Sequence, residues 1–140
     1  MIKLITGDKG KGKTSYLINA ANEAVKTANG TIVYLDKSSK HMYDLNNKVR
    51  LINLSTLPIK NTDQFIGAIS GILSQDHDLE AVYFDNLKKI SMFDGDEAKL
   101  DDILTQLEEA SNLFKVDFII TVSMEGAYSG THADKVILSL

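Results

Sequence analysis

Near its start the chain carries Gly7-Asp8-Lys9-Gly10-Lys11-Gly12-Lys13-Thr14, which satisfies the spacing G-x-x-x-x-G-K-[ST]. That spacing suits one task, the wrapping of backbone around phosphate oxygens. Successive N–H groups must turn inward, and glycine permits backbone angles and a closeness of approach that side chains obstruct. A helix beginning behind the loop adds the positive end of its dipole. Lys13 is then predicted to reach the β- and γ-phosphates of a nucleoside triphosphate, and Thr14 to place its hydroxyl on Mg²⁺, which prefers oxygen ligands. The predicted contact set is Gly7, Asp8, Lys9, Gly10, Lys11, Gly12, Lys13, Thr14 and Ser15. Within it, Lys9 and Lys11 are expected to point into solvent.

Val82-Tyr83-Phe84-Asp85 is an apolar run ending in an acid, the pattern of a strand that delivers a carboxylate to orient Mg²⁺ through water. Asp85 is therefore the predicted metal carboxylate beside Thr14, and with Lys13 it heads the predicted catalytic set. The next residue, Asn86, cannot take a proton from an attacking water, so slow hydrolysis is expected. Asp36 and Glu125 are the remaining candidate bases. Asp36 ends the second predicted strand, where a plain strand-ending role in a polar loop competes with a substrate-side one. Glu125 follows the strand Phe118 to Val122, on the rim where parallel sheets bind ligands. Thr121 and Ser123 lie at the same strand end as candidate sensors of the γ-phosphate. His41, His77 and His132 share no metal-ligand spacing. Arg50 starts a strand, a place for a structural salt bridge.

These side chains need elements to hold them, and the hydrophobic periodicity supplies alternating strands and helices. Ile2 to Thr6 reads as a first strand. A helix follows, with Leu17, Ala20, Ala21, Ala24, Val25 and Ala28 at helical spacing and Asn29-Gly30 as its stop. Thr31 to Leu35 is a buried strand, Asp36 to Lys48 a polar loop and Val49 to Leu54 a further strand. Asn61 or Thr62 caps a helix whose inner face is Phe65, Ile66, Ile69, Ile72 and Leu73. Ala81 to Phe84 is a strand leading through the loop Asn86 to Gly95. The next helix presents Leu100, Ile103, Leu104, Leu107, Ala110, Leu113 and Phe114. Phe118 to Val122, the loop Ser123 to Asp134 and a last strand Val136 to Leu140 complete the chain. Continuous apolar strands joined by amphipathic helices predict an α/β fold, a parallel sheet covered on both faces.

With 140 residues and 44% hydrophobic content, the chain has material for one domain and one good core, spanning 1–140. The absence of cysteine removes disulfides and thiolate metal sites, in keeping with a reducing compartment. No signal-peptide pattern and no membrane-length apolar run is present, so a soluble, cytoplasmic protein is expected. A net charge of −4, with Arg50 the single arginine among 15 basic residues, disfavours nucleic acid as a partner. Lys37, Lys40, Lys88 and Lys89 are expected to give the rim of the phosphate loop local positive charge.

Nearly the whole chain resembles a group of small single-domain P-loop ATP-binding proteins of Gram-positive bacteria, sometimes labelled twitching-motility ATPases. The resemblance rests on Ile2-Lys3-Leu4-Ile5-Thr6-Gly7, on the segment Tyr43 to Ile52 with Lys48-Val49-Arg50, on Phe84-Asp85-Asn86-Leu87 and on Ile120-Thr121-Val122-Ser123. The order of motifs also resembles RecA-like NTPase cores and thymidine kinases. RecA-like ATPases often carry a glutamate just after the metal aspartate, where this chain has Asn86. The resemblance implies a doubly wound, mostly parallel sheet of five to six strands, with Phe118 to Val122 between the first strand and the Asp85 strand. It implies ATP with Mg²⁺ as the ligand; without a guanine-reading N-K-x-D, ATP is expected and GTP left open. The expected function is a slow NTP hydrolase acting as a switch or partner-binding module. The alternatives are a kinase or nucleotidyl transferase with a small-molecule acceptor near Asp36, and a nucleotide-binding module without turnover.

Overall fold

Short apolar segments become strands, and the longer stretches of helical polar-apolar period between them become helices. The computed structural model describes every residue from Met1 to Leu140. In chain order the elements are β1 (Ile2–Gly7), α1 (Lys13–Thr27), β2 (Thr31–Asp36), β3 (Val49–Asn53), α2 (Thr62–Gln75) and β4 (Leu79–Phe84). They continue with α3 (Leu87–Ile90), α4 (Glu97–Phe114), β5 (Asp117–Ser123) and β6 (Val136–Ser139). The six strands form one sheet in the order β3-β2-β4-β5-β1-β6. Every pairing is parallel, and β5 lies between β1 and β4 as expected.

The larger core lies between the sheet and helices α2 and α4. There Phe65, Ile69, Leu73, Leu100, Leu104 and Leu107 join Leu4, Leu35, Phe84 and Phe118 in one buried cluster. The Phe84 ring tilts against Phe118 at 4.9 Å between centroids and meets Phe65 edge-on at 6.3 Å. On the opposite face Leu17, Ile18 and Ala21 of α1 pack with Ile5, Ile32, Tyr34, Tyr83 and Ile119. The period of two in a strand puts Tyr34 and Asp36 of β2 on this α1 side, along with Tyr83 and the residue two beyond it, Asp85. Asn61 caps α2, its side chain accepting from the Gln64 N–H at 2.9 Å. No helix is long and apolar enough to cross a membrane.

Four local expectations are corrected. Leu113 was expected on the inner face of α4 but is 77% exposed, because at 3.6 residues per turn it falls on the far side from Leu100. The inner stripe runs instead to the fully buried Ser111, whose hydroxyl accepts from the Met1 ammonium at 2.7 Å. Phe114, at the last turn, is 37% exposed where Lys115 closes the helix in a left-handed conformation. The third strand stops at Asn53, whose side chain accepts from the Ser55 N–H and opens a 3₁₀ turn over Leu54–Thr56. The expected loop after Asp85 contains α3, anchored by buried Leu87 and Ile90; four residues are too few to show a helical period.

Candidate functional site

The phosphate-loop motif occupies the turn from β1 into α1. Gly10 and Gly12 have φ of 84° and 89°, left-handed angles that cost a side-chain-bearing residue about 1 kcal/mol or more. A Cβ built at either would meet no atom within 4 Å, so it is the backbone angle and not crowding that calls for glycine. Gly12 is the N-cap of α1 and brings no side-chain cap, so the first-turn N–H groups are left for another acceptor. The Lys13 side chain is buried against the loop, and its Nζ donates to the Asp8 carbonyl at 2.7 Å. Burial pushes the Lys13 ammonium below the usual lysine pKa, against the opposing pull of Asp8 and Asp85.

Opposite the loop, the Asp85 N–H donates to the Leu35 carbonyl at 3.0 Å and so carries the β2–β4 ladder one residue past the strand. This fixes the Asp85 backbone while its side chain faces α1. The buried carboxylate accepts two hydrogen bonds, from Thr14 Oγ1 on Oδ1 at 3.1 Å and from the Tyr34 phenol on Oδ2 at 2.8 Å. Asp36 ends the neighbouring strand. Its Oδ1 accepts from the Lys37 N–H at 2.6 Å, and its buried Oδ2 has no partner. Burial raises the Asp36 pKa above the usual carboxylate value, the Lys37 N–H opposes the rise, and the charge of Asp85 reinforces it.

These groups surround one cavity of about 340 Å³ that no hydrophobic side chain lines. Lys9, Lys13, Lys40 and Lys89 line it together with Asp36 and Asp85, an excess of positive side chains in a chain of net charge −4. Gly10, Gly12, Thr14, Ser15, Thr121 and Ser123 complete the sequence-predicted part of the wall, and Ser38, His41 and Asn86 are additions. Gly7, Asp8 and Lys11 belong to the loop without facing the cavity. The Gly7 carbonyl accepts from the Met124 N–H at 2.9 Å. Glu125 lines a separate cavity of about 280 Å³ with Lys88, Phe93, Glu97 and Met124. The structure therefore does not bring Glu125 to the phosphate loop. Arg50 pairs with Asp76 at 3.4 Å, the structural bridge expected of it.

Thr121 faces the cavity with its hydroxyl already engaged. Its Oγ1 accepts from the Asn86 N–H at 2.7 Å and reaches the Phe84 carbonyl at 3.3 Å. This bond steadies Asn86, which stands at a left-handed φ of 63° directly after Asp85. Thr121→Val keeps the shape and leaves the Asn86 N–H without its acceptor. It is expected to lower stability by about 1–3 kcal/mol in urea unfolding. A loss of a few tenths or less would mean that the Asn86 turn holds itself.

Sequence reasoning missed Tyr34 because its hydroxyl is read as part of an apolar strand; only the pairing of β2 with β4 brings it to Asp85. No protein-family model and no curated protein sequence matches the chain. Many solved structures resemble it, two of them as follows. PCH-2 of C. elegans aligns with a TM-score of 0.56 and 15% identity over 99% of this chain and 34% of that one. The flagellar accessory protein FlaH of Methanocaldococcus jannaschii aligns with a TM-score of 0.59 and 16% identity over 87% of this chain and 60% of its own. The chain thus spans about a third of the first protein and three-fifths of the second. Six parallel strands in the order β3-β2-β4-β5-β1-β6, with helices on both faces, and the likeness to both proteins give this chain a RecA-like α/β fold.

Proposed function

We propose that the chain is one nucleotide-binding domain that holds ATP with Mg²⁺ on Gly7 to Ser15 and hydrolyses it slowly, as a switch for a partner contact. The observation that carries this reading is the hydrogen bond between Thr14 and Asp85 beside buried Lys13, at the uncapped start of α1. Thr14 and Asp85 offer oxygen donors alone, which fits a hard cation such as Mg²⁺. No cluster of three or more His, Asp or Glu side chains is present that could hold an ion by itself, so the metal is expected to enter with the nucleotide. Bound there, Mg²⁺ would neutralise charge on the β- and γ-phosphates. The loop N–H groups and Lys13 would orient the triphosphate. The resemblance to small ATP-binding proteins of Gram-positive bacteria supports the same reading.

Slow turnover follows from what stands beside the phosphate loop. Asn86 accepts no proton, and its backbone is held by Thr121 in the left-handed region. Asn86→Glu would place a residue there that tolerates this angle less well, at a cost of about 1 kcal/mol, so the substitution is not expected to create a fast ATPase. Steady-state phosphate release from the unmodified protein is expected below about 0.1 per second, against typical enzyme values of 1–10³ per second. Rapid release by the protein alone would sink the switch reading.

A second reading, phosphoryl transfer to a small acceptor, is favoured by one observation, the unpartnered Oδ2 of Asp36 beside Ser38, Lys40 and His41 on the cavity wall. A carboxylate whose pKa is raised is the better proton acceptor for an acceptor hydroxyl. ADP formed in excess of released phosphate, upon addition of hydroxyl-bearing acceptors, distinguishes transfer from hydrolysis.

A further inference from the structure

We infer that Tyr34 is a positioning residue for the metal carboxylate: its phenol holds Asp85 so that Oδ1 is the oxygen turned toward Thr14 and the cation. This rests on the Mg²⁺-nucleotide reading and goes one shell beyond it. The phenol donates to Oδ2 at 2.8 Å while Thr14 donates to Oδ1 at 3.1 Å, so each oxygen of the carboxylate has a distinct partner. Tyr34 is fully buried, on a strand locked by ladder pairing to β3 on one side and β4 on the other. Its ring packs in the cluster under α1, the helix that carries Thr14. One rigid unit therefore fixes the metal carboxylate and the metal hydroxyl together. The terminal torsion of an aspartate is otherwise broad and two-fold, and a second partner is what selects one orientation.

The bland account of this contact is that a core tyrosine found an acceptor. Under it, removal of the hydroxyl costs stability alone. Against it stands the choice of acceptor, since the phenol is directed at the carboxylate that Thr14 also contacts. Burial and the neighbouring charge of Asp85 keep the phenol proton in place, so the group stays a donor.

The test compares wild type with Tyr34→Phe, which retains the ring and its packing. ATP affinity is measured by calorimetry in metal-free buffer and then across a Mg²⁺ titration. In the variant the half-saturating Mg²⁺ concentration is expected to rise about tenfold, with metal-free ATP affinity changed less than about twofold. A folded variant with the wild-type Mg²⁺ midpoint overturns the role of Tyr34 and leaves the nucleotide reading standing. Wild-type affinity that ignores Mg²⁺ overturns both. A second measurement uses the unmodified protein with ¹³Cζ-labelled tyrosine. The Tyr34 resonance, assigned by replacing Tyr16, Tyr43, Tyr83 and Tyr128 with Phe in turn, is expected to shift when Mg²⁺ joins the ATP complex. A resonance unmoved by the metal overturns the proposal even if Tyr34→Phe proves too unstable to titrate.

Discussion

Lys13→Ala is expected to weaken ATP binding by roughly 100-fold, about 3 kcal/mol, while the chain stays folded. On the proposed reading the ammonium would make two charge-assisted bonds to phosphate oxygens, each contributing about 1.5–3 kcal/mol. In the protein alone it is held by one backbone carbonyl, Asp8, and is partly stripped of water. The sign of its effect on folding follows from the direction of its pKa. A lysine whose folded pKa lies below its unfolded value opposes folding while it is charged, and that opposition fades as pH rises through the folded pKa. Removing the side chain therefore takes away a ligand contact without removing a support of the fold. Calorimetric titration together with thermal unfolding checks both halves. Undiminished affinity in a folded Lys13→Ala protein would rule out the phosphate-loop assignment.

The second large effect concerns the metal. Asp85→Ala should leave metal-free ATP binding within a few-fold of wild type, because the loop N–H groups and Lys13 remain. It should flatten the dependence of affinity on Mg²⁺. The same change strands the Tyr34 hydroxyl in the core, so stability should fall by about 1–3 kcal/mol. Asp85→Asn separates the two losses. The amide oxygen can still accept from Tyr34 and return stability, but the negative charge that attracts the cation is gone. If Asp85→Ala retains the full wild-type Mg²⁺ response, the residue is a strand-ending aspartate and the metal is held elsewhere.

Much of this arrangement is legible in the sequence itself. The motif from Gly7 to Thr14 is short-range, and its chemistry is set by the order of residues in the chain. The place of Asp85 directly after a strand was readable because it follows an apolar run, and the position of β5 between β1 and β4 followed from the resemblance to RecA-like cores. What escaped reading depends on register between strands distant in sequence. Tyr34 reaches Asp85 only because Tyr34 pairs with Tyr83 across β2 and β4. Glu125 looked equivalent to Asp36 along the chain, yet the turn after Ser123 carries it to the wall of another cavity. Thr121 faces the cavity as expected, but its bond from the Asn86 N–H joins the ends of two strands and could not be read along the chain. Leu113 shows the same limit within a helix, where hydrophobic character alone did not decide which face it joined.

The order of strands also sets a timetable for synthesis. β1 is made before the other five strands, yet its two neighbours, β5 and β6, are the last two of the six to follow. Ile2 is paired with Phe118 on β5 and Leu4 with Val136 on β6. Strands β2, β3 and β4 can assemble with α2 as soon as they emerge, since their partners are near in sequence. β1 has no neighbour to join until β5 leaves the ribosome, and closing so long a loop is slow. A nascent chain that stops short of β5 should therefore leave the turn from β1 into α1 unformed, and the proposed ATP affinity should appear only once β5 has joined β1. The turn that precedes five of the six strands must wait for the fifth.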